Sequence, residues 1–591
     1  MGTDLFIKAI KYKKYQKNHL KEKIMKNFTS PMLLCDFYKI SHRNMYPQGT
    51  EYIYSTWTPR TSRIDGIDEV VVFGIQKFIK KYLIEFFNEN FFGKPIDEIV
   101  NDYKRIIKYS LGIENVEVRH IVDLYHLGYL PIKIKAIDEG ISVPIRVPFM
   151  TIENTDPKFF WLTNYIESLA SCELWQGSTS ATISKEFKKL LIERAKRTGG
   201  DVGFVDFQGH DFSFRGMSSL DSAISSGMGH LLSFCGTDTI PAIQGAEYYY
   251  GADVEKEMVG CSISATEHSI QCIYEDDYKY IEDMITKIHP SGFVSIVSDG
   301  YDFWDVMENI LPALKDKIMA RDGKCVIRPD SGNVVDIICG TVQPKNYKGY
   351  CETLECAMNW MEEDLLETVK DSTAHGQCGE HKVSGYFSFE GQMYKMKISI
   401  DWNRYDKKYY FIDDHKILSC EKVDLSPEQK GAVQMLYETF GGSVNPKGFI
   451  DLDSHIGLIY GDSITLDICK KVCDRLEEKG FSSTNVVYGV GSYTYQYNTR
   501  DTFGFALKTT SCIIDGVEKP IFKDPKTDSG IKKSQKGRVN VKKDEDGKFF
   551  YVDGLNKENE SNGENYLTDV FCNGQIMKNM SFAEVKKNLF K

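Results

Sequence analysis

The sequence predicts an α/β protein built around a parallel β-sheet, and three observations point to it. Short apolar runs recur in the middle of the chain, segments with helical spacing lie between several of them, and each run ends abruptly at polar, acidic or glycine residues. Strands that are apolar on both faces and alternate with helices are typical of parallel sheets. Polar residues gathered at the carboxyl ends of such strands indicate an active face, either of a barrel or of a switch-point crevice.

Four apolar runs define the predicted sheet. They are Phe293–Val297, Cys325–Ile327, Ile456–Tyr460 and Asn485–Val490, and a helical pattern follows the third of them over 464–479. Any one run is equally compatible with a strand that simply ends in a turn. Four in succession, each followed by an aspartate or a glycine-rich loop, favour a functional site.

The most informative strand end reads Arg328-Pro329-Asp330-Ser-Gly. Proline cannot sit in a central strand, so Arg328 and Asp330 are predicted to project from a rigid strand end into a loop. A guanidinium offers a planar fork of donors for phosphate or carboxylate. A carboxylate beside it can accept from sugar hydroxyls or hold a metal ion. Together the two residues indicate a phosphorylated sugar.

Other motifs carry candidate ligand contacts. Phe212 could stack on a flat ring and Arg215, three residues later, could bind phosphate, although a core phenylalanine with a surface arginine is about as common. Asp238 could accept a hydrogen bond from a ligand amide, or could cap a helix. His268 follows Glu267 directly. Single histidines are usually structural, but this one lies between other candidates.

The C-terminal third adds basic candidates. Arg500, Lys508 and Lys523 precede a cluster of lysines and an arginine over 532–538. Such clusters can serve phosphates, although a solvated loop is the ordinary interpretation of a lysine-rich run.

Bulk composition excludes several classes of protein. A chain of 591 residues predicts two or three domains, and a net charge of −11 argues against general nucleic-acid binding. The 15 cysteines form no Cys-x-x-Cys pair, which favours a reducing compartment, the cytoplasm. No uncharged apolar run reaches the ~18–20 residues that span a membrane. Residues 1–29 are basic without a signal-peptide core, so we expect a solvated extension.

Residues 345–430 differ in character from their surroundings. Polar and apolar residues alternate from His381 to Leu418, with a Glu390-Gly391 turn between two of the runs. This pattern predicts a small antiparallel meander inserted between two strands of the main sheet.

Taken together, the motifs closely resemble the nicotinamide phosphoribosyltransferase family of type II phosphoribosyltransferases. They run in family order from about residue 30 to the end of the chain. The matching segments are 34–39, 153–157, 210–216, 236–239, 267–269, 297–302, 327–332, 461–462, 499–501 and 522–525.

The resemblance implies an irregular, TIM-like α/β barrel beside an outer α+β sheet domain, with the small antiparallel β insertion as a separate unit. The implied division is a basic extension (1–29), the outer domain (30–170 and 501–591), the barrel (171–344 and 431–500) and the inserted meander (345–430).

The resemblance also implies an activity. Nicotinamide and phosphoribosyl pyrophosphate would give nicotinamide mononucleotide and pyrophosphate with Mg²⁺, in a homodimer whose active sites lie at the subunit interface. ATP hydrolysis would be coupled through phosphorylation of His268. The alternative is a nicotinate phosphoribosyltransferase, but an ionised Asp238 facing a substrate carboxylate would be a like-charge contact. A glycoside hydrolase would use two carboxylates and would leave Arg215, Arg328 and Arg500 without a role. A non-enzymatic scaffold protein on the same fold would not need the intact set of Asp238, His268, Arg328 and Asp330.

The family's roles fall on residues that match its motifs. Nicotinamide would contact Phe212, Asp238, Arg328 and the partner's Tyr38. The phosphoribosyl group and its phosphates would contact Arg215, Asp330, Gly461, Asp462, Gly491, Ser492, Arg500, Lys508 and Lys523, with Arg500 and Lys508 coming from the partner subunit. The catalytic set would be His268, Asp330, Arg328 and Asp299, and the metal would lie at Asp299 and Asp462. Ser492 stands where compact members carry a glycine.

Overall fold

The computed structural model describes residues 30–347, 350–372, 379–404, 410–461, 463–527, 533–562 and 564–591. The predicted extension over 1–29 and the candidate Asp462 lie outside these residues. In the part of the chain that is described, two seven-stranded sheets dominate the fold. No helix in these ranges combines the length and apolar character needed to cross a membrane.

The strands are numbered in chain order. They are β1 (Thr50–Thr58), β2 (Glu69–Val71), β3 (Ile132–Ala136), β4 (Ser142–Pro144), β5 (Met150–Asn154), β6 (Gly209–Asp211), β7 (Gly236–Thr237), β8 (Ser264–Ala265), β9 (Val294–Val297), β10 (Cys325–Arg328), β11 (Lys345–Asn346), β12 (Gly379–Phe389), β13 (Gln392–Arg404), β14 (Tyr410–Lys422), β15 (Gly442–Val444), β16 (Ile450–Leu452), β17 (Ile456–Tyr460), β18 (Val486–Val490), β19 (Ala506–Ile514), β20 (Val517–Pro520), β21 (Arg538–Lys543), β22 (Phe549–Leu555), β23 (Thr568–Cys572) and β24 (Gln575–Ile576).

The helices fill the connections between these strands. The α-helices are Phe37–His42, Ile75–Phe78, Ile96–Leu111, Arg119–Leu127, Leu162–Tyr165, Glu167–Thr198, Val205–Gln208, Leu220–Leu231, Ile240–Tyr250, His268–Tyr274, Asp277–Asp283, Phe303–Asp305, Leu311–Met319, Val334–Cys339, Leu354–Ser372, Pro427–Lys430, Ala432–Phe440, Leu466–Glu478, Ser492–Tyr495, Lys557–Ser561 and Phe582–Leu589. Four π-helical segments extend or join them at Ile79–Phe86, Asn88–Phe92, Met284–Ile288 and Val306–Ile310.

The outer sheet is antiparallel, in the order β20-β19-β1-β5-β3-β23-β24. It joins strands from the first 154 residues to strands after residue 505, so the two ends of the chain share one sheet. Its core is apolar, and the rings of Trp57 and Phe505 stack within it at 5.6 Å between centroids. The order of strands explains why the sequence alone gives no local signal for this sheet: its partners are hundreds of residues apart.

A buried arginine fixes the C-terminal hairpin β21–β22 to this sheet. Arg538 is 1% exposed and donates to Glu518, Glu560 and Glu153 at 2.8–2.9 Å. Its guanidinium also lies 4.6 Å from the ring centroid of Tyr54. Three donor atoms are thus each matched by one carboxylate, the condition under which a buried charge is tolerated.

The second sheet is parallel throughout, in the order β7-β6-β18-β17-β10-β9-β8. The strands β9 and β17 are buried at every position, and β10 is buried at all but its last, as the apolar runs predict. Parallel strands are covered on both faces, and this composition is the one they require. A parallel bridge also joins Gly236 of β7 to Cys261, three residues before β8.

The long helix Glu167–Thr198 packs between the sheets through small residues. An added Cβ at Gly229 of the neighbouring helix Leu220–Leu231 would lie 2.9 Å from the carbonyl oxygen of Gly177, so the two helices pack in close backbone contact. The hydroxyls of Ser178 and Thr182 meet the backbone of β2 and the residues after it. The helix ends at Gly199 in the left-handed conformation, a common helix stop.

The strands β11, β12, β13 and β14 form a separate four-stranded sheet, in that order, with its own apolar core. The helix Leu354–Ser372 packs on it and is an element that the sequence analysis did not predict. The block lies between the neighbouring strands β10 and β17. At its base the chain crosses itself: an added Cβ at Gly431, which has a φ of +80°, would lie 2.1 Å from the backbone nitrogen of Gly340.

Replacement of Arg538 by methionine should destabilise the protein strongly. The substitution leaves Glu153 and Glu518 without their cation, and Glu560 with Lys135 alone. Breaking a buried pair in this way costs about 3–5 kcal/mol. The free energy of unfolding from urea titration measures the effect. The matched control is Arg105→Met, since Arg105 is 64% exposed beside Asp102 and such surface pairs contribute about 0–1 kcal/mol. Equal losses in the two variants would contradict the structural role of Arg538.

Candidate functional site

The carboxyl ends of β9 and β10 meet at the edge of the parallel sheet. Asp299, two residues after β9, accepts from the backbone N–H of Asp330 at 2.9 Å and from the hydroxyl of Ser331 at 2.6 Å. Its other oxygen lies 3.1 Å from Nε2 of His268. The structure therefore brings together three of the predicted catalytic residues, His268, Asp299 and Asp330.

The contacts of Asp299 set its charge. Burial raises the pKa of this carboxyl, but donation from Ser331, from the backbone of Asp330 and from His268 outweighs it, so the pKa lies below its ordinary value. The side chain of Asp299 is only 4% exposed, whereas that of His268 is 46% exposed. The exposed imidazole of His268 is thus held by the buried carboxylate of Asp299, an arrangement that orients the ring toward solvent or a ligand.

Arg328 ends β10 and has an incomplete set of partners. One terminal nitrogen, Nη2, donates to the carbonyl of Thr266 at 2.6 Å. Its Nε is buried, and none of the residues that the structure describes accepts from it. Buried donors are nearly always paired, so this atom points to a ligand oxygen or water.

Asp238 is held by two neighbours through a single oxygen. His210 Nε2 lies 2.9 Å from its Oδ1, and the hydroxyl of Ser262 donates to the same atom at 2.6 Å. Burial raises the pKa of Asp238, but these hydrogen bonds and the charge of Arg328 bring it below its ordinary value. The carboxylate is ionised at neutral pH and keeps Oδ2 available as an acceptor.

Glycines make room for the ring of Phe212. An added Cβ at Gly489 would lie 2.5 Å from the ring, and one at Gly461 would lie 3.7 Å from it and 2.7 Å from Oδ1 of Asp330. Any side chain at these positions would displace the aromatic ring or the carboxylate. The lack of a side chain at two strand ends therefore lets Phe212 and Asp330 approach the same space.

The segment after β18 lies against the loop that carries Arg215. An added Cβ at Gly216 would lie 2.1 Å from the hydroxyl oxygen of Ser492, whereas Gly491 has no atom within 4 Å of an added Cβ. Gln496 also accepts from the backbone of Ser218, which fixes the two segments to each other. The predicted phosphate contacts Arg215, Gly491 and Ser492 are thus neighbours.

A cavity of about 450 Å³ runs through the parallel sheet. Phe212 and Asp238 line one end, beside the carboxyl ends of the strands. Phe293, Lys324 and Asn485, which directly precede β9, β10 and β18, line the other. Its lining is mainly apolar, so it suits a flat, weakly polar ring at the end where Phe212 and Asp238 lie.

A second, shallower cavity of about 540 Å³ lies against the outer sheet and holds other predicted residues. It is lined by Tyr38 and Lys508, together with Lys39 and Glu167. Lys508 Nζ lies 3.6 Å from Glu167, which also pairs with Lys39. Burial and nearby carboxylates raise the pKa of Tyr38, and the positive charge of Arg500 opposes this shift. Within one chain the two cavities share no lining residue.

Three candidates, Arg500, Lys523 and Asp462, are placed neither at the sheet edge nor in the lining of the second cavity. Arg500 contacts its neighbour Asp501. Lys523 follows β20, and its backbone N–H donates to the hydroxyl of Ser534 at 2.9 Å. Asp462 is outside the described residues. Conversely, Ser262 contacts Asp238 but carries no signal in the sequence, since an isolated serine in a loop is unremarkable.

The acidic residues of the sheet edge fit a magnesium ion by their donor type. In the described ranges no three His, Cys, Asp or Glu side chains surround a common metal position. Magnesium is usually held by one or two carboxylates together with substrate phosphates, so a preformed cluster is not required. The carboxylate oxygens of Asp299 are of the type that magnesium prefers, although each already has a protein partner, Asp330 and Ser331 at one and His268 at the other.

Comparison with known proteins shows that the chain matches the models of two protein families. The chain matches the model of the nicotinate phosphoribosyltransferase (NAPRTase) family over residues 207–363 and 421–575, and the nicotinamide phosphoribosyltransferase N-terminal domain over residues 30–134. Residues 364–420, the larger part of the separate four-stranded sheet, lie between the two ranges of the first match.

Curated relatives match nearly the whole chain. A nicotinamide phosphoribosyltransferase of Acinetobacter baylyi is 42% identical over 95% of this chain and 97% of its own length, and one of Mycoplasma pneumoniae is 30% identical over 84% and 92%. A solved nicotinate-nucleotide pyrophosphorylase from Pyrococcus furiosus covers 94% of this chain and 93% of its own, at 14% identity and a TM-score of 0.47. The sequence matches show that this chain belongs to the nicotinate and nicotinamide phosphoribosyltransferase family.

Proposed function

We propose that the protein is a nicotinamide phosphoribosyltransferase, which transfers the phosphoribosyl group of phosphoribosyl pyrophosphate to nicotinamide and so serves NAD salvage. The products are nicotinamide mononucleotide and pyrophosphate. The observation that carries the choice of base is Asp238, whose lowered pKa keeps it anionic beside Phe212. An anion accepts from a carboxamide and repels the carboxylate of nicotinate, and the 42% identity to a nicotinamide enzyme supports the same choice.

The base would bind at the end of the apolar cavity lined by Phe212. Its ring stacks on Phe212, and its amide donates to the free Oδ2 of Asp238, because Oδ1 is already occupied by His210 and Ser262. Stacking on Phe212 fixes the plane of the ring, and the hydrogen bond to Asp238 fixes its rotation within that plane. The ring nitrogen is then directed toward the sheet edge.

The activated ribose would lie over the ends of β10 and β17. Asp330 accepts from ribose hydroxyls beside Gly461, and the unpartnered Nε of Arg328 donates to an oxygen of the ligand. The ring nitrogen forms a bond to the anomeric carbon while the bond from that carbon to pyrophosphate breaks. The transition state is oxocarbenium-like, so alignment and charge stabilisation dominate catalysis.

Arg215, Gly491 and Ser492, which lie together at the sheet edge, would contact the phosphates from within the same chain. Mg²⁺ would be held by Asp299 and Asp462 with the phosphates and would offset the charge that develops on the leaving pyrophosphate. ATP hydrolysis would be coupled through phosphorylation of His268, whose exposed ring is held by Asp299.

The active site would be completed by a second copy of the chain. Tyr38 and Lys508 line the cavity against the outer sheet, which shares no residue with the one at Phe212. Arg500 lies close enough to Tyr38 for its charge to oppose the burial that raises the pKa of that phenol. In the proposed homodimer Tyr38 of the partner subunit covers the other face of the base, and Arg500 and Lys508 reach its phosphates. Lys523 is proposed as a further phosphate contact.

The parallel sheet would close into the irregular, TIM-like barrel that the family resemblance implies. The bridge from Gly236 to Cys261 supports this, because it places the first strand of the sheet beside the segment that leads to the last, β8. The cavity that passes between the two ends of the strands supports it as well. The outer domain, the barrel and the inserted meander are proposed with the divisions predicted from the sequence. The free thiol of every described cysteine supports the proposed cytoplasmic location.

Product analysis tests the proposal. Purified protein incubated with phosphoribosyl pyrophosphate, Mg²⁺ and either nicotinamide or nicotinate should form nicotinamide mononucleotide, identified by mass, and release pyrophosphate only when base is present. Addition of ATP should raise the rate. A higher kcat/KM for nicotinate would sink the choice of base, and pyrophosphate release without a base would point to a different reaction.

Asp238→Asn should erode the preference for nicotinamide. The amide retains the shape but lacks the charge, and loss of a hydrogen bond to a charged group costs about 1.5–3 kcal/mol, or about 10–150-fold in kcat/KM for nicotinamide. The ratio of kcat/KM for nicotinate to that for nicotinamide should rise. A surface control, Asp253→Asn, removes a carboxylate that contacts the exposed Lys256 and the backbone N–H of Glu255, and it should leave both values unchanged. An unchanged ratio in Asp238→Asn would refute the role of the charge.

His268→Ala should abolish the stimulation by ATP. The variant lacks the nitrogen that would be phosphorylated, while Asp299 keeps its contacts to Asp330 and Ser331, so the ATP-free rate should fall by no more than a few-fold. Initial rates with and without ATP measure the stimulation. If the variant is still stimulated, ATP does not act through His268; if the ATP-free rate falls as far as the stimulated rate, the residue serves the transfer itself.

A further inference from the structure

A wholly buried histidine contacts both of the segments that hold the candidate ligand residues. The Nδ1 atom of His230 lies 2.7 Å from the hydroxyl oxygen of Tyr495, and its Nε2 atom lies 3.0 Å from the carbonyl oxygen of Gly236. Both side chains are 0% exposed. Gly236 lies two residues before Asp238, and Tyr495 ends the short helix that begins at Ser492.

The hydrogen bonds fix the form of the imidazole. A carbonyl can only accept, so Nε2 carries the proton, and Nδ1 must accept from the hydroxyl of Tyr495. Burial lowers the pKa of His230 to about 4, against the opposing charge of Asp211, so the ring is neutral at pH 7. Both nitrogens are used, and the ring also stacks on Phe234 at 5.2 Å between centroids. The imidazole has one orientation that satisfies all of these contacts.

Each segment is tied to its ligand residues by the backbone. Asp238 donates its N–H to the carbonyl of Asp211 at 2.9 Å, directly before Phe212. Tyr495 donates its N–H to the carbonyl of Gly491 at 3.3 Å. A shift of the Tyr495 ring therefore moves Gly491, and a shift of the strand at Gly236 moves Asp238.

We infer that His230 and Tyr495 are positioning residues that set the distance between the base held at Phe212 and Asp238 and the phosphates held from Gly491 onward. This inference rests on the proposed phosphoribosyl transfer. The ring nitrogen and the anomeric carbon must be aligned for attack, and a misplacement of about 1 Å can cost ~10²-fold in rate. Neither side chain lines the cavity that would hold the base. Its loss should therefore lower kcat more than it weakens the binding of either substrate.

Tyr495→Phe tests this with the removal of one oxygen. The matched control is Tyr488→Phe, because Tyr488 is also 0% exposed and lies on the adjoining strand β18, but its hydroxyl meets cysteine thiols, with Cys473 Sγ at 3.3 Å and Cys469 beside it. We expect Tyr495→Phe to lower kcat by about tenfold or more, with the KM of each substrate changed by less than about threefold. The control should keep kcat within about twofold of the unsubstituted protein, at a similar thermal midpoint.

A second substitution checks that Tyr495 acts through His230. In a double-mutant cycle, His230→Leu with Tyr495→Phe should be no slower than His230→Leu alone, because the hydroxyl has then lost its partner. Multiplicative losses, or equal kcat values for Tyr495→Phe and Tyr488→Phe, would overturn the inference, as would a loss confined to KM. If His230→Leu does not fold, the comparison of the two tyrosine variants decides the matter. Failure of the unsubstituted protein to make nicotinamide mononucleotide would instead reject the proposed function.

Discussion

Asp299 ends one buried strand with a carboxylate that accepts hydrogen bonds from the end of the next strand and faces an exposed histidine. This contact holds Asp330 in place, and Asp330 in turn lies against Gly461 at the end of β17. Neighbouring parallel strands bring their carboxyl ends to one edge, but their side chains would diverge without such cross-links. The same carboxylate therefore joins the ends of two paired strands and two of the predicted catalytic residues, Asp330 and His268.

Much of the parallel sheet could be predicted because its information is local. The apolar runs at 293–297, 325–327, 456–460 and 485–490 became β9, β10, β17 and β18, and the helical pattern over 464–479 became the helix Leu466–Glu478. The convergence of Phe212, Asp330 and Gly461 follows from their positions at strand ends. Ser262 and the tautomer of His230 could not be predicted, since they depend on distances between segments that the sequence does not encode locally. The helix Leu354–Ser372 was missed because strand alternation dominated the interpretation of its block.

The two sheets divide the candidate residues by chemistry. The parallel sheet carries the aromatic ring, the carboxylates and Arg328, which suit a base and a ribose. Beside the outer sheet, Tyr38 of the helix Phe37–His42 and Lys508 of β19 line one cavity with Glu167, and the charge of Arg500 acts on the phenol of Tyr38. Because the outer sheet joins the first and last parts of the chain, it can be completed only after nearly the whole polypeptide has been synthesised. In the proposed homodimer, a site that draws on both sheets would link assembly to activity.

The crossing of the chain at Gly340 and Gly431 has a consequence for how the protein can change over evolutionary time. Since the two ends of the four-stranded block meet in backbone contact, the spacing between β10 and β17 does not depend on how many residues lie beyond the crossing. The entropic cost of a longer excursion grows only with the logarithm of its length. The same junction would accept a fluorescent reporter or a shortened loop in place of the block, which makes it a natural position for domain exchange.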